Sequence, residues 1–287
     1  MTTSLSCVYV THLVAPKYGS TEAECEDAVA VLPGCAHDDM LLGPLTAGVC
    51  DGATESALAK DWARLLSRTA AEQAMECPEL LAGGAAFEAF ASSAVARWEP
   101  WIAAYTRARV ADGRPLKWYE HTKLAEGAYA TLLTVRIDPD PDPGPSPDPV
   151  ACESAAWRWQ AAALGDSCLF HLRDDRLLQA FPLATADAFG TAPDLFGSRN
   201  HDAGLLVRRA RFARGRCEPG DRLFLMTDAL AAWFLTAADQ RSAVRELLDF
   251  SGPDDQGAFR TWLDGLRERR QLRNDDVAVV RIDCEGR

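Results

Sequence analysis

LTAGVCDGA, residues 45–53, is a short apolar run that stops abruptly at Asp51 and Gly52. An apolar run of this length before a turn dipeptide is typical of a buried β-strand. In the residues after the turn, 56–76 and 85–110, apolar side chains recur at helical spacing, which predicts two helices. Asp51 is therefore predicted at the end of a strand, just before a helical region.

The residues on both sides of this region predict further strands. Asp174 and Asp175 predict a hairpin turn, and residues 182–204 are irregular and rich in glycine, proline and aspartate. The predicted strands are 5–13, 28–32, 45–50, 128–137, 156–164, 169–172, 176–181, 205–212, 223–226 and 277–282, and the further predicted helices are 230–249 and 256–271. This order predicts an α+β fold in which helix pairs cover antiparallel sheets.

A run of prolines and aspartates, DPDPDPGPSPDP, occupies residues 138–149. Such a run can neither pair in a sheet nor bury much surface. Because strand patterns lie on both sides, we interpret it as a long solvated hairpin loop and not as a linker between domains. Residues 1–287 are accordingly predicted to form a single domain.

Charge and composition exclude several classes of partner. The chain has 30 basic and 42 acidic residues and a formal net charge of −12, the wrong sign for binding nucleic acid or anionic membranes. The nine cysteines show no zinc-ligand spacing and are interpreted as reduced thiols. No lysine or arginine precedes Lys17 and no apolar run approaches the roughly 18 residues of a membrane span, so we expect a cytoplasmic protein.

Five aspartates stand where an apolar strand meets a turn: Asp27, Asp51, Asp166, Asp228 and Asp275. Taken singly, each is most simply a turn residue. If the strand ends meet, however, several carboxylates share one pocket, where they cannot all stay ionised without cations between them. Oxygen ligands of this kind prefer Mg²⁺ or Mn²⁺ to zinc.

Six ordered segments resemble the motifs of PP2C-type metal-dependent protein serine/threonine phosphatases, in a divergent bacterial-type form. The resemblance extends from about residue 10 to 283. The segments are ECEDAVAV (24–31), AGVCDGA (47–53), residues 127–131, ALGDSCLFHLRDDRLL (163–178), EPGDRLFLMTDAL (218–230) and RNDDVAVVRI (273–282). The family implies a four-layer α-β-β-α sandwich of two antiparallel sheets flanked by helix pairs, with a two-metal centre at one end.

The resemblance also implies a role for each acidic residue. Asp51 would bridge two Mn²⁺ or Mg²⁺ ions, one of which would also bind the Gly52 carbonyl, and Asp228 and Asp275 would complete the shell of the second. The remaining implied residues are Asp27 and Glu26, which would hold metal-bound waters, Asp166, which with Asp228 would serve a weaker third ion, and Asp276 as a secondary residue. Asp51 and Asp228 are the implied catalytic residues, and a bridging water, activated by the metals, would attack phosphorus.

Phosphate recognition departs from the family pattern. Glu22 stands where the family usually has a phosphate-binding arginine, and Ala229 and Cys168 replace a glycine and an arginine of two other motifs. The glycine pair expected after Asp51-Gly52 is also missing. Lys17 and Arg199 are the candidates for the missing cation, although a charged loop residue is more often merely solvated.

Three hypotheses remain open at this point. The retained aspartates favour a phosphatase acting on a phosphorylated protein, such as a serine/threonine kinase or its target. Glu22 and Ala229 favour a catalytically weak or inactive regulatory relative that binds without turnover. The third hypothesis is a metal-stabilised structural domain. Residues 182–204 are expected to form either a flap beside the metals or a surface excursion that packs Phe189, Leu195 and Phe196 onto the sandwich.

Overall fold

Two five-stranded antiparallel sheets lie at the centre of the protein, in a computed structural model that describes residues 6–140, 156–190 and 192–286. The strands are β1 Ser6–Ala15, β2 Ala28–Leu32, β3 Leu45–Cys50, β4 Tyr129–Ala130, β5 Leu132–Asp140, β6 Ala156–Leu164, β7 Cys168–Arg173, β8 Arg176–Phe181, β9 Phe196–Gly197, β10 Arg211–Cys217, β11 Arg222–Met226 and β12 Val277–Gly286. The helices are α1 Ala59–Glu76, α2 Gly84–Ala111, α3 Trp118–Glu126, α4 Ala203–Arg209, α5 Asp228–Thr236, α6 Gln240–Leu248 and α7 Gln256–Glu268. Within the described ranges, no helix combines the length and apolar character needed to cross a membrane.

The sheets and helices stack as four layers. One sheet has the strand order β1-β12-β11-β7-β8 and the other β10-β6-β5-β3-β2, with β4 and β9 forming a separate short pair. Helix α1 packs on the second sheet and against α2, whereas α5, α6 and α7 pack on the first. The structure thus confirms the predicted α+β sandwich of antiparallel sheets flanked by helices.

Alternation along the strands explains why both faces of each sheet are covered. In β11, Leu223 and Leu225 pack between the two sheets, while Phe224 and Met226 pack under α5–α7. Successive side chains of a strand point to opposite faces, so a continuous apolar run such as residues 223–226 must be buried on both sides. A strand of this kind therefore needs the second sheet on one face and the helices on the other.

Two predictions of secondary structure are wrong, and one helix was missed. Residues 205–212 do not form a strand: α4 ends at Arg209 and β10 begins at Arg211. Asp202 caps α4 by accepting a hydrogen bond from the Leu205 amide at 2.8 Å, and the buried Leu206 packs in the same core cluster as α2. The predicted helix 230–249 is two helices, and α3 was not predicted.

Two turn regions have different outcomes. The hairpin at Asp174 and Asp175 is confirmed, and both residues adopt the positive φ that a tight β-hairpin turn requires. In the predicted loop 138–149, residues 138–140 continue β5 instead. The remainder of that predicted loop lies outside the described residues.

Asp221, just before β11, ties β7 to the 218–221 turn. Its carboxylate accepts hydrogen bonds from Arg173 at 2.8 Å, from His171 Nε2 at 2.9 Å and from the Glu218 amide at 2.8 Å. Burial alone would raise the pKa of Asp221, but these bonds lower it to about 2. Although His171, Cys217 and Asp221 are close enough to hold a metal, the Asp221 oxygens are already engaged.

We expect Asp221→Asn to destabilise the fold by on the order of 3 kcal/mol, because it removes the buried carboxylate that pairs with both His171 and Arg173. Glu218→Gln is the matched control, since Glu218 pairs with the same Arg173 at 2.8 Å but is exposed, and an exposed pair contributes about 0–1 kcal/mol. Urea unfolding of the two variants measures the difference. Equal midpoints would contradict the structural role of Asp221.

Candidate metal centre

An acidic pocket of about 670 Å³ lies at one end of the sandwich, where the ends of strands from both sheets come together. Asp51 follows β3 of the second sheet, and Asp228 follows β11 of the first. Asp166 lies in the turn from β6 to β7, which connects the sheets. The ligand oxygens of these three carboxylates all lie within 4.8 Å of one another, although the residues are far apart in sequence.

The main chain around Asp51 is fixed by neighbouring strands. The Asp51 amide donates to Thr131 Oγ1 at 3.0 Å, and the Thr131 amide donates back to the Asp51 carbonyl at 2.8 Å. A Cβ on Gly52 would lie 2.8 Å from the Glu26 carbonyl oxygen, so only glycine allows this close approach. These contacts bring the Asp51-Gly52 turn against the loop that carries Asp27.

Asp27 lies buried behind the pocket, next to Asp228 in space. Its Oδ2 accepts a hydrogen bond from Thr227 at 2.8 Å, and Thr227 immediately precedes Asp228. Its Oδ1 is buried and has no hydrogen-bond partner among the residues that the structure describes. Because a buried carboxylate oxygen without a donor is costly, this atom is a ready acceptor for a polar ligand.

Asp276 holds the surrounding loops together from outside the pocket. Its Oδ1 accepts from the Lys17 amide at 2.7 Å and its Oδ2 from the Glu26 amide at 2.8 Å. Lys17 Nζ lies 4.0 Å from a Glu26 oxygen, and neither side chain lines the pocket. Asp275, by contrast, does line the pocket.

Crowding of carboxylates in a buried site raises their pKa values. Burial is the largest cause for Asp27 and Asp51, whose pKa values lie well above the ordinary range, and the charges of neighbouring aspartates add to it. Burial, followed by the charge of Asp228, raises the pKa of Asp166 to about 6. Burial also raises the pKa of Asp275. Ionising all of these carboxyls at once in the metal-free cluster is therefore costly.

We expect Asp166→Asn to stabilise the metal-free protein at pH 7 by on the order of 2 kcal/mol. Because the folded pKa of about 6 exceeds the ordinary 3.8 of the unfolded chain, the folded state binds more protons between these values. The loss of stability that ionised Asp166 causes is thus absent below pH 3.8 and complete once the pH has risen past 6. Thermal unfolding in EDTA across this range measures it, and a difference that does not change with pH would contradict the assignment.

The donor set fits a hard divalent cation. Four aspartates that line the pocket, the buried Asp27 behind it and the Gly52 carbonyl supply only oxygen ligands. Two of these oxygens, Asp27 Oδ1 and Asp166 Oδ1, are buried without a hydrogen-bond partner among the described residues. Oxygen-only sites of several carboxylates favour Mg²⁺ or Mn²⁺. A cation there would also offset the repulsion that raises the pKa values of the cluster.

The two basic side chains predicted to bind phosphate, Lys17 and Arg199, lie away from these carboxylates. Arg199 pairs with Glu99 of α2 at 2.9 Å and lines a separate surface pocket. Lys17 lines a neighbouring depression beside Lys60. The pocket is lined instead by Arg273, which sequence reasoning missed. Its place two residues before Asp275 was the available signal.

Residues 182–204 combine the two roles expected of them. Gly190, Pro193 and Leu195 line the acidic pocket, as a flap would. Phe196 is fully buried in the core cluster beneath α1 and α2, and Phe189 packs partly buried against the opposite cluster. The segment is therefore anchored by aromatic side chains while its middle forms a wall of the pocket.

No protein-family model and no curated protein match the sequence, but solved structures are similar. The catalytic domain of the serine/threonine protein phosphatase PstP, in complex with two manganese ions, is 18% identical with a TM-score of 0.53, covering 98% of this chain and 99% of that one. Mycobacterium tuberculosis PstP/Ppp is 17% identical with a TM-score of 0.55, covering 97% and 99%. The photosystem II phosphatase PBCP is 12% identical with a TM-score of 0.56, covering 96% and 98%. The chain thus has the fold of PP2C-type phosphatases, which confirms the resemblance in its motifs.

Proposed function

We propose that this protein is a metal-dependent phosphatase that hydrolyses phosphoserine and phosphothreonine in proteins. The observation that carries the proposal is the convergence of Asp51, Asp166 and Asp228 within 4.8 Å, in a pocket built from both sheets. The fold shared with serine/threonine phosphatases supports it. The substrate is a phosphorylated protein, such as a kinase or its target.

The ligand assignments come from the motif resemblance, and the shared pocket of the carboxylates supports them. Asp51 would bridge two Mn²⁺ or Mg²⁺ ions, Gly52 would add its carbonyl oxygen, and Asp228 with Asp275 would hold the second ion. Asp27 and Glu26 would bind waters, and Asp166 would serve a weaker third site. Cations held in this way supply an activated water as nucleophile and neutralise charge on the phosphoryl oxygens.

The chain itself contributes preorganisation. Thr131 and the close packing at Gly52 hold Asp51, and Thr227, the residue before Asp228, donates a hydrogen bond to Asp27. Asp276 keeps the Glu26 loop and the end of β1 in place. Ligands positioned by hydrogen-bonded partners need little rearrangement to bind a cation or to meet charge that develops during reaction.

The decisive experiment measures hydrolysis of p-nitrophenyl phosphate and of a phosphothreonine peptide with and without Mn²⁺. We expect turnover that depends on Mn²⁺ and is removed by EDTA. Absence of turnover with either Mn²⁺ or Mg²⁺ would contradict the proposal. Metal-dependent binding of the peptide without turnover would support the non-catalytic regulatory hypothesis instead.

A further inference from the structure

Arg273 stands out by charge among the side chains around the pocket. Six acidic side chains line it, and Arg273 is the one basic residue lining it within the described ranges. A phosphate ester is a dianion near neutral pH, and such a wall of carboxylates repels it. Binding therefore requires either cations or an arginine, and this side chain is already in place.

The contacts of Arg273 join the two carboxylates proposed for the second ion. Its Nη2 donates to Asp228 Oδ2 and lies 3.1 Å from Asp275 Oδ2. Both contacts use the same nitrogen, which leaves the Nε and Nη1 donors for a ligand. The side chain is 55% exposed, so a ligand in the pocket can reach it.

The loop that carries Arg273 is held in position from both sides. The Arg267 guanidinium donates to the Asp275 carbonyl at 2.6 Å, and the Tyr18 amide donates to Asn274 Oδ1 at 2.7 Å. The main chain at Arg273 is therefore held in place, while the guanidinium at the end of the side chain can exchange its carboxylate partners for a ligand. Glu22, which stands where the family usually has its phosphate-binding arginine, does not line the pocket.

We propose that Arg273 is the phosphate-binding residue of this pocket and that it also serves as the counter-ion of Asp228 and Asp275 until a divalent cation replaces it. This inference rests on the proposed function. A divalent cation bound by Asp228 and Asp275 competes with the guanidinium for their oxygens, because the two positive charges repel each other. Metal binding thus frees Nη2, and Arg273 can then bind two oxygens of the phosphoryl group.

Opposite effects on two ligands follow from this double role. Arg273→Gln removes the competing charge, so the dissociation constant of Mn²⁺ falls by about 5–10-fold. The same change removes a charge-assisted, forked contact, so the dissociation constant of inorganic phosphate for the Mn²⁺-loaded protein rises at least about 10-fold. Arg273→Lys keeps the positive charge but loses the forked geometry of the guanidinium. Its affinities for Mn²⁺ and phosphate are expected to lie between those of the unaltered protein and those of Arg273→Gln.

Isothermal titration calorimetry tests both effects without relying on turnover, first with Mn²⁺ and then with inorganic phosphate. Arg199→Gln is the matched control because Arg199 pairs with Glu99 outside the pocket, and it should behave as the unaltered protein does. Unchanged phosphate affinity in Arg273→Gln, with Mn²⁺ bound normally, overturns the role of Arg273 alone. Failure of Mn²⁺ to bind any of the proteins overturns the metal centre and the proposed function, and this inference with it.

Discussion

Replacing Asp51 by asparagine is expected to abolish Mn²⁺-dependent phosphate hydrolysis and leave the protein folded. Asp51 is the carboxylate that contacts the others from the second sheet, and its oxygens lie within 4.8 Å of those of Asp166 and Asp228. Asparagine preserves shape but removes the charge that holds a cation. The loss should exceed the roughly 10–100-fold that removal of an outer-shell partner costs.

Asp228→Asn should have an effect of the same size, because it removes the corresponding ligand from the first sheet. Asp112→Asn is the control: its carboxylate is exposed at the end of α2 and pairs with the exposed Arg114. Initial rates at saturating Mn²⁺, together with circular dichroism spectra, separate loss of catalysis from loss of fold. Near-normal turnover of either site variant would show that the metal centre is assigned to the wrong residues.

Divalent metal is expected to raise the thermal unfolding midpoint strongly. A ligand that binds only the folded state adds about 2.7 kcal/mol at a concentration 100 times its dissociation constant. For a chain of this size each kcal/mol shifts the midpoint by about 2–4 °C, so the total is about 5–10 °C. The raised pKa values of the buried aspartates give the reason, since the cation relieves their repulsion.

The same variants sharpen this measurement. In EDTA, Asp51→Asn should unfold at a higher temperature than the unaltered protein, because one buried charge is gone, yet it should show little further shift with Mn²⁺. Asp112→Asn should keep the full shift. A midpoint that Mn²⁺ leaves unchanged in the unaltered protein would argue against any metal centre in this pocket.

Local pattern alone located most of the candidate site. Asp51, Asp166 and Asp228 each stand at the end of an apolar strand, and a strand buried on both faces has a recognisable sequence because every position must be apolar. Order along the chain and the motif resemblance then grouped them. Secondary structure was hardest to predict where a short apolar run suits either a strand or one face of a helix, as at residues 205–212, which α4 and β10 share.

By itself, the periodicity of the sequence determined antiparallel sheets covered by helices and the acidic strand ends, since both depend on neighbouring residues. The order of the four layers came from the motif resemblance. Only the tertiary structure decided which basic side chain faces these acidic strand ends. Arg273 contacts Asp228 across 45 positions, and Asp276 holds Glu26 across 250. Arg199, equally basic, is drawn to Glu99 instead. Side-chain charges find their partners through space once the sheets have packed, and no local periodicity encodes which partner lies nearest.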